Sequence, residues 1–500
     1  MTWFRKWMIL SHRYLGIALC LLIVMWFVSG IAMMYAGGMP RLTPETRLDR
    51  LPPLDVSRVQ ITPAEALESA FLGGDPQRAV LLTVMDRPAY RFSSRGGQVT
   101  VFADTGDVLH EANARDAVTI AGRFTGLGED RLRYAGRLTE ADQWTITVRD
   151  RLPMHKVVAA DDARTELYVS EQLGEVVVFT TRGSRALAWV AAIPHWLYFA
   201  PLRLNGDLWR QVVLWTSGLG CVLILIGLGV GILQLSPSRP FRLKRLLSYI
   251  PYAGWMRWHY ITGVVFGVFS LTWVFSGMLS MEPLFWSSNG GLGAAGVNQA
   301  FSGGPLEMSL FSAPEGETWG EPLSGKRIKE IDFRRIQGEP YYVLTDDTPS
   351  AHSLVAADSF EVRHEPFSTE SLMDRIQEAY PDVPIVESRL LSQYDSYYYA
   401  RDQARPLPVL RVKFDDPDQT WFYIDPAMGR LVSRYHRLAR LERWIYNGFH
   451  SLDFAFLYYN RTLWEITMIL LSLGGIATSS IGLFIGFKRL GRNAKRALRS

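Results

Sequence analysis

Cysteine is almost missing from this chain: there are two in 500 residues, Cys20 and Cys221, both inside apolar runs. A disulfide framework is therefore excluded, and so is the C-x-x-C-H that attaches a c-type haem covalently. Cysteine-ligated iron–sulfur clusters and Cys-rich zinc sites go with them. Also missing are a P-loop, a dinucleotide fingerprint, a nucleophile elbow and a zinc-protease helix. Charge is sparse in four runs, 14–36, 208–234, 260–281 and 463–487, none of which carries more than one charged residue. Acidic residues are absent from residues 1–13, 235–257 and 488–500.

Each of the four apolar runs is long enough, at 1.5 Å per residue, to cross a hydrocarbon core about 30 Å thick. The first is too long for the apolar region of a cleaved signal peptide, so it is expected to belong to the mature protein. The acid-free stretches hold Arg5, Lys6, Arg13, Arg239, Arg242, Lys244, Arg245, Arg257, Lys488, Arg489, Arg492, Lys495, Arg496 and Arg499. Basic residues of this kind mark the cytoplasmic side. Both termini are then cytoplasmic, and the two long charged stretches lie outside. Removing these fourteen leaves 39 basic against 49 acidic residues, so the overall charge of +4 is a topology signal. It does not indicate a nucleic-acid partner; the expected surroundings are membrane lipid.

The resulting map has a first helix at 1–36, an outer domain at 37–190, and an interfacial segment with the second helix at 191–234. A cytoplasmic loop (235–257), a third helix (258–283), a second outer domain (284–445), an interfacial segment with the fourth helix (446–487) and a basic tail (488–500) follow. The map repeats itself. Shifted by 247 residues, His12, Gly16, Trp26, Ser29, Gly30 and Met34 fall on His259, Gly263, Trp273, Ser276, Gly277 and Met281. Shifted by 255, His195, Asn205, Trp209, Gly220, Gly227 and Gly231 fall on His450, Asn460, Trp464, Gly475, Gly482 and Gly486. Both halves start on the same side, which makes them parallel repeats about an axis along the membrane normal. The expected fold is an α-helical membrane bundle, two parallel transmembrane hairpins with a pseudo-two-fold axis, plus two α+β extracytoplasmic domains. In those domains "TPAEALESAF" and "STESLMDRIQEAY" read as capped helices, and "TWFYIDPAMGRLV", "GQVTVFADTGDVLHE" and "HSLVAADSFEVRHE" as hairpins.

Of nine histidines, four recur in the repeat and stand at membrane edges: His12 and His259 inside, His195 and His450 outside. Equivalent residues that face a two-fold axis point at each other. Two opposed imidazoles suit a six-coordinate haem iron, whereas zinc takes three or four protein ligands. The competing reading, polar residues at helix ends, stays open on these residues alone. Gly227, Gly231, Gly482 and Gly486 allow close helix approach. Arg13 and Arg203 suit haem propionates, although Arg13 also serves the positive-inside rule. Trp26, Trp273, Met34 and Met281 read first as packing, His110 and His364 as surface residues, and His155 has no symmetric partner.

"HRYLG" followed by "WFVSG", "PHWLYF" and "FHSLDF" before the returning helices, and the "YIDPAMGRLV" hairpin resemble the PepSY-associated transmembrane family. The resemblance covers nearly the whole chain. It implies a bacterial inner-membrane protein with two PepSY-like periplasmic domains and two b-type haems, ligated by His12, His259, His195 and His450. It also implies a ferric siderophore or other ferric chelate as the electron acceptor, with quinol or a cytoplasmic flavoprotein as donor. The chain lacks the flavin-reductase domain of some relatives. The expected function is thus transmembrane di-haem electron transfer to a periplasmic acceptor. The alternatives are a cytochrome subunit serving a separate periplasmic oxidoreductase, and a non-enzymatic membrane-tethered PepSY binding or regulatory protein.

Overall fold

Among the described residues, four helices are long and apolar enough to cross a membrane: Thr2–Ala36, Gly206–Gln234, Trp255–Leu279 and Arg461–Ala497. The computed structural model describes every residue except 1, 237–240, 244–245, 284–285, 288–289, 314–318, 320–326, 348–351, 402–403 and 498–500. Arg239, Lys244, Arg245 and Arg499, four of the cations expected on the cytoplasmic side, lie outside the described residues. The first helix begins well before its apolar run, because no glycine or proline interrupts residues 2–15 and nothing there stops the helix. The second and fourth helices begin alike. Asn205 accepts the Leu208 N–H at 3.0 Å, and Asn460 accepts that of Leu463 at 3.1 Å.

These helices, with residues 1–39, 184–289 and 438–500, form one compact unit. The first and third helices each pack against the second and the fourth. Leu21, Val28, Val222, Ile232, Val265, Val268, Leu470 and Phe484 are left exposed on their outer faces. An apolar surface of that kind is suited to lipid.

Residues 40–183 and 290–437 form the second unit, which is rich in β-sheet. Each of these two stretches supplies a four-stranded antiparallel sheet. One runs Leu132–Leu138, Met154–Ala159, Glu166–Ser170, Glu175–Thr180; the other runs Ile385–Leu391, Val409–Phe414, Trp421–Asp425, Arg430–Tyr435. The "TWFYIDPAMGRLV" hairpin is the last pair of the second sheet. The helices expected from sequence are present at Pro63–Ser69, capped by Thr62 with Glu65, and at Thr369–Ala379, capped by Ser368. Leu372 and Ile376 of the latter pack on Leu410, Val412 and Phe422.

A third sheet departs from the sequence map. Its seven strands come from both stretches, which meet where Arg78–Val84 pairs antiparallel with Glu330–Ile336, Ala79 opposite Phe333 and Leu81 opposite Ile331. The boundaries 37–190 and 284–445 therefore cut a continuous sheet. Alternation shows that strands exist, but not which edge will cover which. Pairing removes two open edges and places Leu81, Ile331, Phe333, Tyr342 and Phe92 in one core.

The joined stretches are also tied by charge. Arg47 donates to Glu330 at 2.8 Å and to Glu175 at 3.3 Å, and Arg91 pairs with Glu175 at 2.9 Å. Burial acts to raise the Glu175 pKa, but Arg91 and Arg47 overcome it, so the carboxyl lies below its ordinary value. A depressed acid stabilises the fold above the unfolded value of about 4.3, and that contribution is lost as pH falls through the folded value. Glu175→Gln is expected to cost about 1–3 kcal/mol at pH 7 and to flatten the acid side of the profile. Thermal unfolding followed from about pH 6 downward checks this; parallel profiles for the two proteins would refute it.

Candidate functional site

The diagonal placement of the first and third helices sets His12 opposite His259. Their ring centroids are 6.1 Å apart, with planes inclined at 36°. His195 lies on a short helix, Ala192–Trp196, and His450 ends a π-helical segment, Arg443–His450. Their centroids are also 6.1 Å apart, at 63°. Two residues after each of these histidines the backbone turns left-handed, at Leu197 (φ 54°) and Leu452 (φ 49°). The two pairs that the repeat suggested are thus neighbours in space.

Every one of the four imidazoles presents Nδ1 to a backbone carbonyl. His12 meets Leu223 O at 3.1 Å, His259 meets Thr478 O at 3.1 Å, His195 meets Trp26 O at 3.2 Å, and His450 meets Trp273 O at 3.1 Å. The outer two add a serine hydroxyl, Ser29 at 3.2 Å and Ser276 at 3.1 Å. A carbonyl only accepts, so Nδ1 carries the hydrogen and Nε2 keeps its lone pair. That is the tautomer a metal-ligating histidine needs, fixed from behind by the second partner. An iron between two Nε2 atoms needs about 2 Å on each side, which with the half-width of each ring separates the centroids by about 6 Å. The observed spacing fits. Among the described residues no group of three or more His, Cys, Asp or Glu side chains gathers to hold a metal ion.

Glycine makes room for each ring. A Cβ on Gly227 would lie 2.6 Å from His12 Cε1, and one on Gly482 would lie 3.0 Å from His259 Cε1. Gly30 and Gly277 stand in the same relation to His195 and His450, at 3.4 and 3.3 Å. Around the inner pair a cavity opens between the helices. His12 and His259 are in its walls, together with Gly16, Gly263 and apolar side chains, and Arg13, Tyr252 and Arg489 also line it. A flat apolar group with acidic substituents matches this lining: small residues for the plane, arginines for the acids. Arg13 and Arg489 both line the cavity; sequence marked Arg489 only as a topology signal.

Arg203 stacks on Trp209 at 4.5 Å and on Tyr198 at 5.1 Å, and its buried Nε has no hydrogen-bond partner among the described residues. The Trp209 indole in turn donates to Trp196 O, next to His195, at 2.8 Å. Trp26 and Trp273 act on the outer histidines through their carbonyls, a role invisible in the residue type. Met34 packs in the apolar cluster of the bundle. His110 and His364 are exposed. His155 is buried in the β-rich unit against Tyr134 Oη (3.0 Å), Ala112 O (2.8 Å) and Glu171 (3.2 Å).

Sequence reasoning missed Ser29, Ser276, Gly30 and Gly277 as supports of the outer pair, although the repeat had aligned them. The sequence matches the family described as "PepSY-associated TM region" over residues 9–489. No curated protein matches the chain.

Proposed function

This chain belongs to the PepSY-associated TM region family, and we propose that it is a membrane electron-transfer protein that reduces a ferric chelate on the outer side. The reading places it in a bacterial inner membrane with both termini cytoplasmic and its β-rich, PepSY-like part in the periplasm. Its halves are parallel repeats about an axis along the membrane normal. Matched contacts support this symmetry: Ser29 with His195 and Ser276 with His450, and Trp209 with Trp196 and Trp464 with Ser451.

One observation carries the proposal: two histidine pairs, each 6.1 Å between ring centroids, with Nδ1 tied to the backbone in all four rings. His12 with His259, and His195 with His450, would each hold one b-type haem. The cofactor supplies reversible one-electron chemistry when bound. The chain's part is to present Nε2, to keep water away from the rings by helix packing, and to neutralise acidic substituents with Arg13 and Arg489 inside and Arg203 outside. Quinol or a cytoplasmic flavoprotein is the donor.

The test is direct. The purified protein is expected to show a Soret band, and its anaerobically reduced form to reoxidise when a ferric siderophore is added. Protein without the band would end the haem reading. A reduced form that ignores a range of ferric chelates would end the ferric acceptor.

A further inference from the structure

The strand pair that joins the outer stretches brings two arginines together. Arg78 and Arg334 stand one step beyond the Ala79–Phe333 register pair, so they are cross-strand neighbours. Like charges in that relation destabilise a sheet. Asp332 relieves one of them well: Arg78 donates to its two oxygens at 2.8 and 3.2 Å. Arg334 reaches the same carboxylate only at 3.9 Å, beyond hydrogen-bond range. A third guanidinium, Arg430, enters from the edge of the second four-stranded sheet, with Nε 3.5 Å from Asp425.

The depth of these groups decides the sign of the surface. The Asp332 and Asp425 side chains are 11% and 3% exposed, whereas Arg78, Arg334 and Arg430 are 52%, 47% and 47% exposed. Three guanidiniums therefore project over the sunken Asp332 and Asp425; a third carboxylate, Glu330, also acts on Arg78 but is itself paired with Arg47 at 2.8 Å. Desolvation lowers the Arg334 pKa, Asp332 opposes it, and the Arg78 and Arg430 charges lower it further. An incoming anion would relieve that crowding. His352 faces the same charges; burial first, then Arg430, holds its pKa below the ordinary value. It therefore stays neutral near pH 7 and adds no charge of its own. Guanidinium forks match carboxylates in pairs of parallel hydrogen bonds. Forks spread over two sheets suit several separate carboxylates better than one tetrahedral oxyanion.

We propose that Arg78, Arg334 and Arg430 form a docking site for a compact polycarboxylate metal chelate, the substrate class of the proposed reductase. This rests on the ferric-chelate reading above, and the test keeps the two apart. Gallium(III) citrate, which is not reduced, is titrated into the full-length protein in detergent, and binding is measured calorimetrically. Wild type is expected to bind it. Arg334→Gln should weaken binding about tenfold, the Arg334→Gln/Arg430→Gln double variant further, and both losses should shrink at high salt. Arg334→Lys should fall between. Circular dichroism checks the fold, and if Arg334→Gln unfolds, Arg430→Gln alone gives the reading. No binding to wild type, unchanged affinity in the variants, or equal competition by inorganic phosphate or anionic-lipid vesicles would overturn the proposal. Because gallium binding needs no haem, a colourless protein that still binds the chelate would sink the reductase reading and leave this site standing.

Discussion

His450→Ala should purify with about half the wild-type haem, its inner site intact. The expectation follows from geometry. His195 and His450 face each other at 6.1 Å between centroids, and the inner pair shares neither residue. Removing one imidazole leaves its opposite number with a vacant coordination position across from it. A b-type haem has no covalent link to fall back on, since C-x-x-C-H is absent. His12→Ala should remove the other half, and the double variant should be colourless. Truncating a histidine at either place leaves the helices paired, so the folded fraction should change little. Haem per polypeptide, from pyridine-haemochrome absorbance against amino-acid analysis, checks the count. Electron paramagnetic resonance of the oxidised single variants should each retain one low-spin signal, and the two signals should differ, because the ring planes are inclined at 36° inside and 63° outside. Full haem in His450→Ala would remove the assignment of the outer pair.

The membrane half of this molecule was legible for a physical reason. A run that must satisfy its backbone inside lipid has to be helical. A charge that must stay in the cytoplasm has to stand at one end of it. The sequence similarity between the two halves then did what no single residue could: at a shift of 247 it set His12 on His259, one of two aligned positions. What stayed hidden lies in the backbone. The carbonyls of Leu223, Thr478, Trp26 and Trp273 accept from the histidines, and no side-chain pattern announces a carbonyl. The shared sheet was hidden for a similar reason. Arg78–Val84 and Glu330–Ile336 are not among the strands read from sequence, and only the fold decides that they pair. The arginine cluster exists because of that pairing and has no sequence signature.

Gly227→Ala separates the site from the fold, because the two respond with opposite sign. In a helix interior, alanine is favoured over glycine by about 1 kcal/mol. A glycine kept there for no local reason should therefore yield a more stable protein when replaced. Gly218 supplies the reference: among the described residues a Cβ there would meet only Met278 Sδ, at 3.7 Å, and Gly218→Ala should keep all haem and unfold at equal or higher temperature. At Gly227 the same methyl would lie 2.6 Å from His12 Cε1 and 3.0 Å from Nδ1. The ring must shift, and Nδ1 is bound to Leu223 O one turn away on the same helix. Overpacking costs about 1–3 kcal/mol, which roughly cancels the helical gain. Ligand orientation has no such compensation, and losing the partner that holds a ligating imidazole lowers affinity about ten- to hundredfold. The expected variant is thus folded, near wild type in thermal stability, with the inner haem lost on dilution and the outer haem retained. Gly482→Ala, at 3.0 Å from His259 Cε1, should show a smaller loss at the same site. The order Gly227→Ala, Gly482→Ala, Gly218→Ala in inner-haem loss is the measurement. A Gly227→Ala protein that holds both haems as wild type does would show that His12 does not occupy this niche when haem is bound.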